Sequence, residues 1–261
     1  MTFALITGAS KGIGKAIAAE LAKRKINVLL VAQSENELKA VKENLEKEYK
    51  VHSEYLAIDL SLDGSAKKIK QWCEENKFGV SILINNAGFA TWGKFEKLNI
   101  ETEKKMMRVN MNAMVELTHE MLPLLKKNTK AYIMNTASTA AYQAVATTAI
   151  YAASKAFVLS FTRALRYELK NSNVSVTCLS PGPTESNFIT RANMQALQAT
   201  ADKFNMKPED VARIGIESMF SGKAEVIAGF PNWLGAKLAS VMPKPLVEKI
   251  AAGIYKKKLQ D

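Results

Sequence analysis

The stretch that decides the fold is Thr7-Gly8-Ala9-Ser10-Lys11-Gly12-Ile13-Gly14, which joins an apolar run to a helical pattern. Glycine has no Cβ atom, so this turn can bend sharply and bring its backbone close to a pyrophosphate. The helix that follows offers free N–H groups and the positive end of its dipole to the same anion. A plain glycine-rich turn is the alternative. We predict a dinucleotide-binding turn formed by Gly8, Ser10, Lys11, Gly12, Ile13 and Gly14.

On either side of this turn, short β-branched runs alternate with longer helical patterns. Strands are predicted near residues 3–7, 27–32, 51–58, 81–85, 130–136, 174–180 and 224–228, and helices near 12–24, 35–48, 62–76, 101–126, 150–171, 208–221 and 232–256. The alternation predicts an α/β fold, a Rossmann-like, doubly wound parallel sheet of about seven strands with helices on both faces. No repeat, low-complexity segment or flexible linker interrupts residues 1–261, which favours a single domain.

The composition excludes several classes of function. Lys and Arg exceed Asp and Glu by 36 to 25, and the net charge of +11 favours acidic partners such as phosphorylated cofactors and coenzyme thioesters. The basic residues are spread along the chain without an Arg-rich block, so we expect no nucleic-acid binding. Cys73 and Cys178 share no metal-ligand or disulfide spacing, which predicts no metal site and a reducing compartment.

The protein is expected to be cytoplasmic. No basic leader or cleavage site precedes the first predicted strand, which argues against export. The most apolar late stretch, Val226 to Tyr255, is broken by charged residues and prolines, and it lacks the roughly 18 uninterrupted apolar residues of a membrane-spanning helix.

The end of the second predicted strand bears on the choice of dinucleotide. NAD enzymes of this architecture place Asp or Glu there, about 20 residues after the turn, to bind the ribose 2′-hydroxyl. This chain has Val31-Ala32-Gln33-Ser34 instead, so no carboxylate at that position repels the 2′-phosphate of NADP. Lys11 offers this phosphate a positive charge and Ser34 offers a hydroxyl, which favours NADP(H) over NAD(H).

Ser34 has a second interpretation. The run Ser34-Glu35-Asn36-Glu37 matches the capping box of the next helix, and both roles can hold together. Glu35 lies near enough to complicate the preference for NADP(H), although we place it in the first turn of that helix.

A long predicted helix opens with Tyr151-Ala152-Ala153-Ser154-Lys155, and residues four apart lie on one face of a helix. A lysine ammonium beside a phenol stabilises the phenolate, so Tyr151 can exchange a proton with a substrate oxygen. This spacing alone is weak, because a surface pair on a helix explains it as well. Ser138 ends a predicted strand, where its hydroxyl can bind a reacting oxygen, and Asn110 lies on a helix that runs toward the same sheet edge.

These features together, in order and spacing over residues 2–190, resemble the short-chain dehydrogenase/reductase family. Thr7–Gly14 matches its T-G-x-x-x-G-x-G loop and Asn85–Gly88 its N-N-A-G turn. Its catalytic tetrad is matched by Asn110, Ser138, Tyr151 and Lys155. Besides the glycine turn, Ser34, Tyr151 and Lys155, the resemblance implies cofactor contacts at Asp59, Leu60, Asn86, Ala87, Gly88, Pro181, Gly182, Thr184 and Ser186.

The resemblance also implies a role for each member of the tetrad. Tyr151 would be the general acid in reduction, and Lys155 would bind the nicotinamide ribose and favour the Tyr151 phenolate. Ser138 would orient and polarise the carbonyl, and Asn110 would hold a water that links Lys155 to bulk solvent. The family further implies the strand order 3-2-1-4-5-6-7 and a homodimer or homotetramer formed through the two long helices.

One departure from the family concerns cofactor choice. Relatives that use NADP often carry Arg where Gln33 stands, which leaves Lys11 and Ser34 to hold the phosphate.

The C-terminal part, with Pro208–Ala212 opening a helix and Gly222–Gly229 after it, resembles the branch of bacterial ketoacyl- and hydroxysteroid-type reductases.

The sequence therefore predicts an NADP(H)-dependent oxidoreductase that interconverts a carbonyl and a secondary alcohol by hydride transfer. The expected partner is a small ketone, alcohol or acyl thioester, with an apolar or acyl-chain ketone favoured. The alternative is a non-catalytic NADP(H)-binding sensor or scaffold, which would have no need of Ser138 and Tyr151 together.

Two segments near the C-terminus are interpreted from their apolar residues. Residues 187–206 are predicted to form a flap over the substrate. Residues 230–261 are predicted to form a helical tail that packs on the domain and ends in the basic run Lys256-Lys257-Lys258. Contact of this tail with an anionic membrane surface is the less favoured alternative. His52 and His119 lie in no catalytic constellation.

Overall fold

A parallel sheet forms the centre of the protein, whose computed structural model describes residues 2–185 and 205–256. Seven strands are found in this part of the chain: Thr2–Thr7 (β1), Asn27–Ala32 (β2), Ser53–Ala57 (β3), Gly79–Asn85 (β4), Ala131–Thr136 (β5), Val174–Ser180 (β6) and Glu225–Ile227 (β7). They lie in the order β3-β2-β1-β4-β5-β6-β7, and every neighbouring pair is parallel. The predicted fold class and strand order are confirmed.

Helices cover both faces of this sheet. Their bounds are Gly12–Lys23 (α1), Glu35–Tyr49 (α2), Ser65–Glu75 (α3), Ile100–Met107 (α4), Ala113–Lys126 (α5), Ala149–Glu168 (α6), Pro208–Phe220 (α7), Phe230–Val241 (α8) and Lys244–Lys256 (α9). Side chains alternate along a strand, so Ala4 and Ile6 pack against α1, α2 and α7, while Phe3 and Leu5 pack against α3, α5 and α6. Both sheet faces are therefore buried, as the continuously apolar strands require.

The predicted helix over 101–126 is interrupted. Residues Arg108–Asn112 form a π-helical turn between α4 and α5. The cause is the buried Asn110, whose side chain is hydrogen-bonded to the backbone of Phe89 and to Ser154 on α6. A hydrophobic pattern cannot reveal such a turn, because it is imposed by contacts with distant parts of the chain.

The predicted tail helix over 232–256 is also divided, into α8 and α9. Met242, between them, has extended backbone torsions because Pro243 disfavours the helical conformation of the residue before it. One face of α8 and α9 is buried, at Asn232, Ala236, Val247 and Ala251. The other face exposes large apolar side chains: Phe230, Trp233, Leu234, Leu238, Val241, Leu246 and Ile250.

The predicted flap lies mostly outside the described residues, which resume at Asn205. Met206 forms a parallel bridge with Thr184, and the Glu185 N–H donates a hydrogen bond to the Met206 carbonyl. Thr184 and Met206, on either side of the residues that the structure does not describe, therefore lie side by side. Within residues 2–185 and 205–256, no helix combines the length and apolar character needed to cross a membrane.

A ladder of buried polar side chains ties the sheet to the helices behind the carboxyl edge. Asn85 on β4 donates to Thr118 of α5 and to Asn135 of β5, at 2.9 and 2.8 Å. Asn135 donates in turn to Thr162 of α6, at 3.0 Å. Buried amides are costly unless they are hydrogen-bonded, so this ladder favours one relative position of strands and helices.

We predict that Asn135→Ala lowers the free energy of unfolding by about 2–4 kcal/mol, since it opens a cavity and removes a buried partner of Asn85. Urea denaturation monitored by circular dichroism measures the loss. The matched control is Asn44→Ala on the exposed side of α2, which should change stability by less than about 0.5 kcal/mol. Equal stability of the two variants would contradict the ladder's role.

Candidate active site

The glycine turn between β1 and α1 depends on a very close approach of backbone. A Cβ atom placed on Gly14 would lie 2.2 Å from the Gly8 carbonyl oxygen, so no other residue fits there. Gly8 has φ +66°, a left-handed conformation that favours glycine, and a Cβ there would meet Ala87 at 2.9 Å. This cradle, placed at the N-terminus of α1, fits a dinucleotide pyrophosphate.

Thr7 fixes the turn to the neighbouring strand. Its hydroxyl donates to the Ile84 carbonyl and accepts hydrogen bonds from the backbone N–H groups of Asn86 and Ala87, at 3.0 and 3.1 Å. The Asn86 amide returns a hydrogen bond to the Thr7 carbonyl at 3.1 Å. The loop after β4 is therefore held beside the glycine turn at the carboxyl edge of the sheet, where open α/β folds bind ligands.

Two members of the predicted tetrad meet beside this loop. Lys155 on α6 is buried, and its ammonium donates to the Thr136 carbonyl at 2.9 Å. A Cβ atom placed on Gly88 would lie 3.4 Å from Lys155 Nζ and 3.0 Å from Asn110 Oδ1, so both polar atoms face the same point. Burial lowers the pKa of Lys155 from 10.5 to about 8.

The other two members lie on elements that pack against each other. Tyr151 is half-buried at the start of α6, and the centre of its ring is 5.8 Å from Lys155 Nζ. Ser138 follows β5 and precedes a single 3₁₀ turn, Thr139–Tyr142, which packs on α6. The Ser138 Oγ accepts a hydrogen bond from the Ala140 N–H at 3.1 Å, which leaves the hydroxyl hydrogen to be donated elsewhere.

Asp59, predicted to bind the adenine edge, is held as a carboxylate. It accepts hydrogen bonds from the Ser61 N–H and hydroxyl at 2.8 and 2.7 Å, and its second oxygen pairs with Lys105 of α4 at 2.9 Å. Partial burial acts to raise its pKa, but these hydrogen bonds outweigh burial and hold the pKa far below the usual range. Leu60, the next residue, is buried.

Lys11, one of the two residues predicted to receive a 2′-phosphate, binds a carboxylate of the chain itself. Lys11 Nζ pairs with Glu37 Oε1 at 2.5 Å. The capping-box interpretation of Ser34 is wrong: Ser34 occupies the N-cap position of α2, but its side chain caps no N–H group. Glu37, which would complete such a box, turns instead toward Lys11.

The loop after β6 lies next to the C-terminal helices. The Pro181 carbonyl accepts from the Thr139 N–H at 2.9 Å, and Thr184 Oγ1 donates to the Gly182 carbonyl at 3.0 Å. A Cβ atom on Gly182 would collide with the buried Asn232 of α8 at 2.3 Å. Ser186, predicted to contact the cofactor, lies outside the described residues.

Comparison with known proteins identifies this arrangement. The family model described as short chain dehydrogenase matches residues 2–197. The chain belongs to the short-chain dehydrogenase/reductase family. It is accordingly an oxidoreductase that acts on hydroxyl or keto groups with a nicotinamide dinucleotide.

Three relatives of this short-chain dehydrogenase illustrate the range of similarity. The very-long-chain 3-oxoacyl-CoA reductase of Mus musculus is 29% identical over 262 residues, covering 97% of this chain and 80% of the relative. The 17-beta-hydroxysteroid dehydrogenase type 3 of Homo sapiens is 30% identical over 237 residues, covering 88% and 76%. A solved short-chain dehydrogenase from Sphingobium yanoikuyae in complex with NADPH has a TM-score of 0.81 at 26% identity, covering 94% and 97%.

Several residues that shape the site of this dehydrogenase carry no recognisable signal in the sequence. Ser154 bonds Asn110, Asn135 carries the buried ladder, and Asn232 packs on the loop at Gly182. Glu37 is visible only as the fourth residue of an apparent capping box. Each acts through a contact with a distant segment, which spacing along the chain does not record.

We predict that Lys155→Met abolishes turnover and raises stability at pH 7 by about 1–3 kcal/mol, since it removes a buried charge. Lysine in the unfolded chain has a pKa of about 10.4, above that of buried Lys155. Below pH 8 both states are protonated, and the folded state bears the full cost of the buried charge. That cost falls as pH rises from about 8 to about 10.5.

Thermal unfolding at pH 7 and pH 10 tests this dependence. The stability gap between Lys155→Met and the unsubstituted protein should narrow at the higher pH. Lys39→Met, at an exposed position on α2, is the control and should show no such change. A variant less stable than the unsubstituted protein at pH 7 would contradict the cost assigned to the buried ammonium.

Proposed function

We propose that this short-chain dehydrogenase is an NADP(H)-dependent reductase of apolar or acyl-chain ketones that uses Asn110, Ser138, Tyr151 and Lys155. The catalytic part of this proposal rests on one observation. The buried Lys155 ammonium and Asn110 Oδ1 both lie next to Gly88, and the centre of the Tyr151 ring is 5.8 Å from that ammonium. A surface pair on a helix would not bury its lysine, because a buried charge costs free energy, and ionisable groups held at such a cost cluster at functional sites.

Each tetrad residue has a role that its contacts support. The bound dinucleotide supplies the hydride in reduction. Tyr151 donates the proton to the substrate oxygen, and the Lys155 charge favours the resulting phenolate. Ser138 donates its free hydroxyl hydrogen to the carbonyl oxygen and polarises it. Asn110 Oδ1 accepts from the Phe89 N–H and has a second lone pair for a water on the path to solvent.

The cofactor and substrate classes rest on charge and on the relatives. The sheet edge after β2 carries Gln33 and Ser34 instead of a carboxylate, and Lys11 lies beside it. The Sphingobium relative binds NADPH, and two relatives, of which this chain covers 80% and 76%, are named for the reduction of very-long-chain 3-oxoacyl-CoA and for activity on 17-beta-hydroxysteroids. The same proposal includes a homodimer or homotetramer, supported by the exposed Phe157 on α6.

We expect Tyr151→Phe to lower kcat by about 10²–10⁴ while NADPH affinity stays within about threefold, because only the proton donor is removed. Ketone reduction is followed by NADPH absorbance, and binding by NADPH fluorescence. Tyr167→Phe, an exposed phenol on the same helix, is the control and should retain full activity. Unchanged turnover in Tyr151→Phe would favour the non-catalytic sensor instead.

We also expect NADPH to bind at least about tenfold more tightly than NADH, a difference of about 1.4 kcal/mol. The reason is that Lys11 carries a positive charge and that the residue after β2 is Gln33 and not a carboxylate. Parallel fluorescence titrations of the purified protein at one ionic strength measure both affinities. Equal or tighter binding of NADH would overturn the NADP(H) assignment and redirect the substrate screen toward alcohol oxidation.

A further inference from the structure

Glu37 lies where a negatively charged ligand is expected. It belongs to the first turn of α2, and its carboxylate pairs with Lys11 Nζ at 2.5 Å. The Lys11 ammonium, with a smaller effect of the nearby Ser10 and Ser34 hydroxyls, holds the pKa of Glu37 below its ordinary value, so the group is an anion at neutral pH.

Lys11, which pairs with Glu37, is one of the two groups that the sequence assigns to the 2′-phosphate at this edge of the sheet; Ser34 is the other. A lysine ammonium can bind either a carboxylate or a phosphate monoester, because both are anions with several acceptor oxygens. Glu37 therefore satisfies, from within the chain, an anion site that a 2′-phosphate would also need. The phosphate carries a charge of about −1.5 to −2 and would be repelled by a carboxylate that stayed in place.

We propose that Glu37 controls the discrimination between NADP(H) and NAD(H), because its carboxylate occupies the anion site that the 2′-phosphate of NADP(H) must enter. This inference rests on the dinucleotide site of the proposed function. NAD(H) has no 2′-phosphate, and a carboxylate at this edge can accept a hydrogen bond from its ribose 2′-hydroxyl. Glu37 therefore opposes NADP(H) and tolerates NAD(H).

The contact is suited to being exchanged. The side chains of Lys11 and Glu37 are 48% and 34% exposed. An ion pair with this much exposure to solvent contributes little to the stability of the fold. Glu37 can therefore turn outward without unfolding α2, whose buried residues Leu38, Val41 and Leu45 face the core. Lys11 then exchanges one anion for another, and the carboxylate weakens NADP(H) binding without abolishing it.

Glu37→Gln is the direct test, since it removes the charge and keeps the shape. We expect it to tighten NADPH binding by at least tenfold and to change NADH binding by less than threefold. Glu35→Gln is the matched control, because it removes the same charge from the same helical turn at an exposed position. It should change the ratio of the two dissociation constants by less than threefold.

Calorimetric titration with adenosine 2′,5′-bisphosphate and adenosine 5′-monophosphate gives a readout that needs no turnover. Only the bisphosphate should bind more tightly to Glu37→Gln, and retained NADH binding shows that the variant is folded. Equal ratios of NADPH to NADH affinity in Glu37→Gln and the unsubstituted protein would overturn the inference, as would equal effects of Glu35→Gln. If the unsubstituted protein prefers NADH, only the NADP(H) assignment of the proposed function is overturned. The inference about Glu37 is tested separately, by the change that Glu37→Gln makes in the ratio of NADPH to NADH affinity.

Discussion

The contact on which the rest of the site depends is the approach of α1 to β1 at the glycine turn. With Gly14 packed against the Gly8 carbonyl, the N-terminus of α1 points at the carboxyl edge of the sheet. Thr7, one residue earlier, bonds the loop after β4 to the same place. The glycine turn and the loop that lies beside Lys155 are thus held together by the Thr7 hydroxyl and by the close backbone approach at Gly8.

Parallel strands explain how residues far apart in the chain come together. Their carboxyl ends all lie at one edge, so the segments after β1, β4, β5 and β6 converge although more than 170 residues separate the first from the last. The ladder through Asn85 and Asn135 keeps α5 and α6 fixed behind that edge. Tyr151 and Lys155 lie one turn apart on α6, so the packing of α6 against the sheet determines where both side chains lie.

Periodicity and glycine spacing were sufficient for the parallel sheet and the motifs on its edge, because both are local; the strand order followed from the family resemblance. The sequence was insufficient where a long-range contact overrides a local pattern. Ser34 and Glu37 have the spacing of a capping box, yet Lys11 attracts Glu37 away from the helix end. The helical pattern over 101–126 gives no sign that Asn110 breaks it, since the partner of Asn110 is a backbone segment 21 residues away.

The π-helical turn at Arg108–Asn112 also has a consequence for how this gene can change. Such a turn holds one residue more than the α-helical turn it replaces, so α4 and α5 are out of phase by about 100°. Deletion of a single codon there would restore a regular helix, rotate one half against the other and turn Asn110 away from Phe89. The position of the Asn110 side chain therefore depends on the number of residues in this segment as well as on the identity of residue 110.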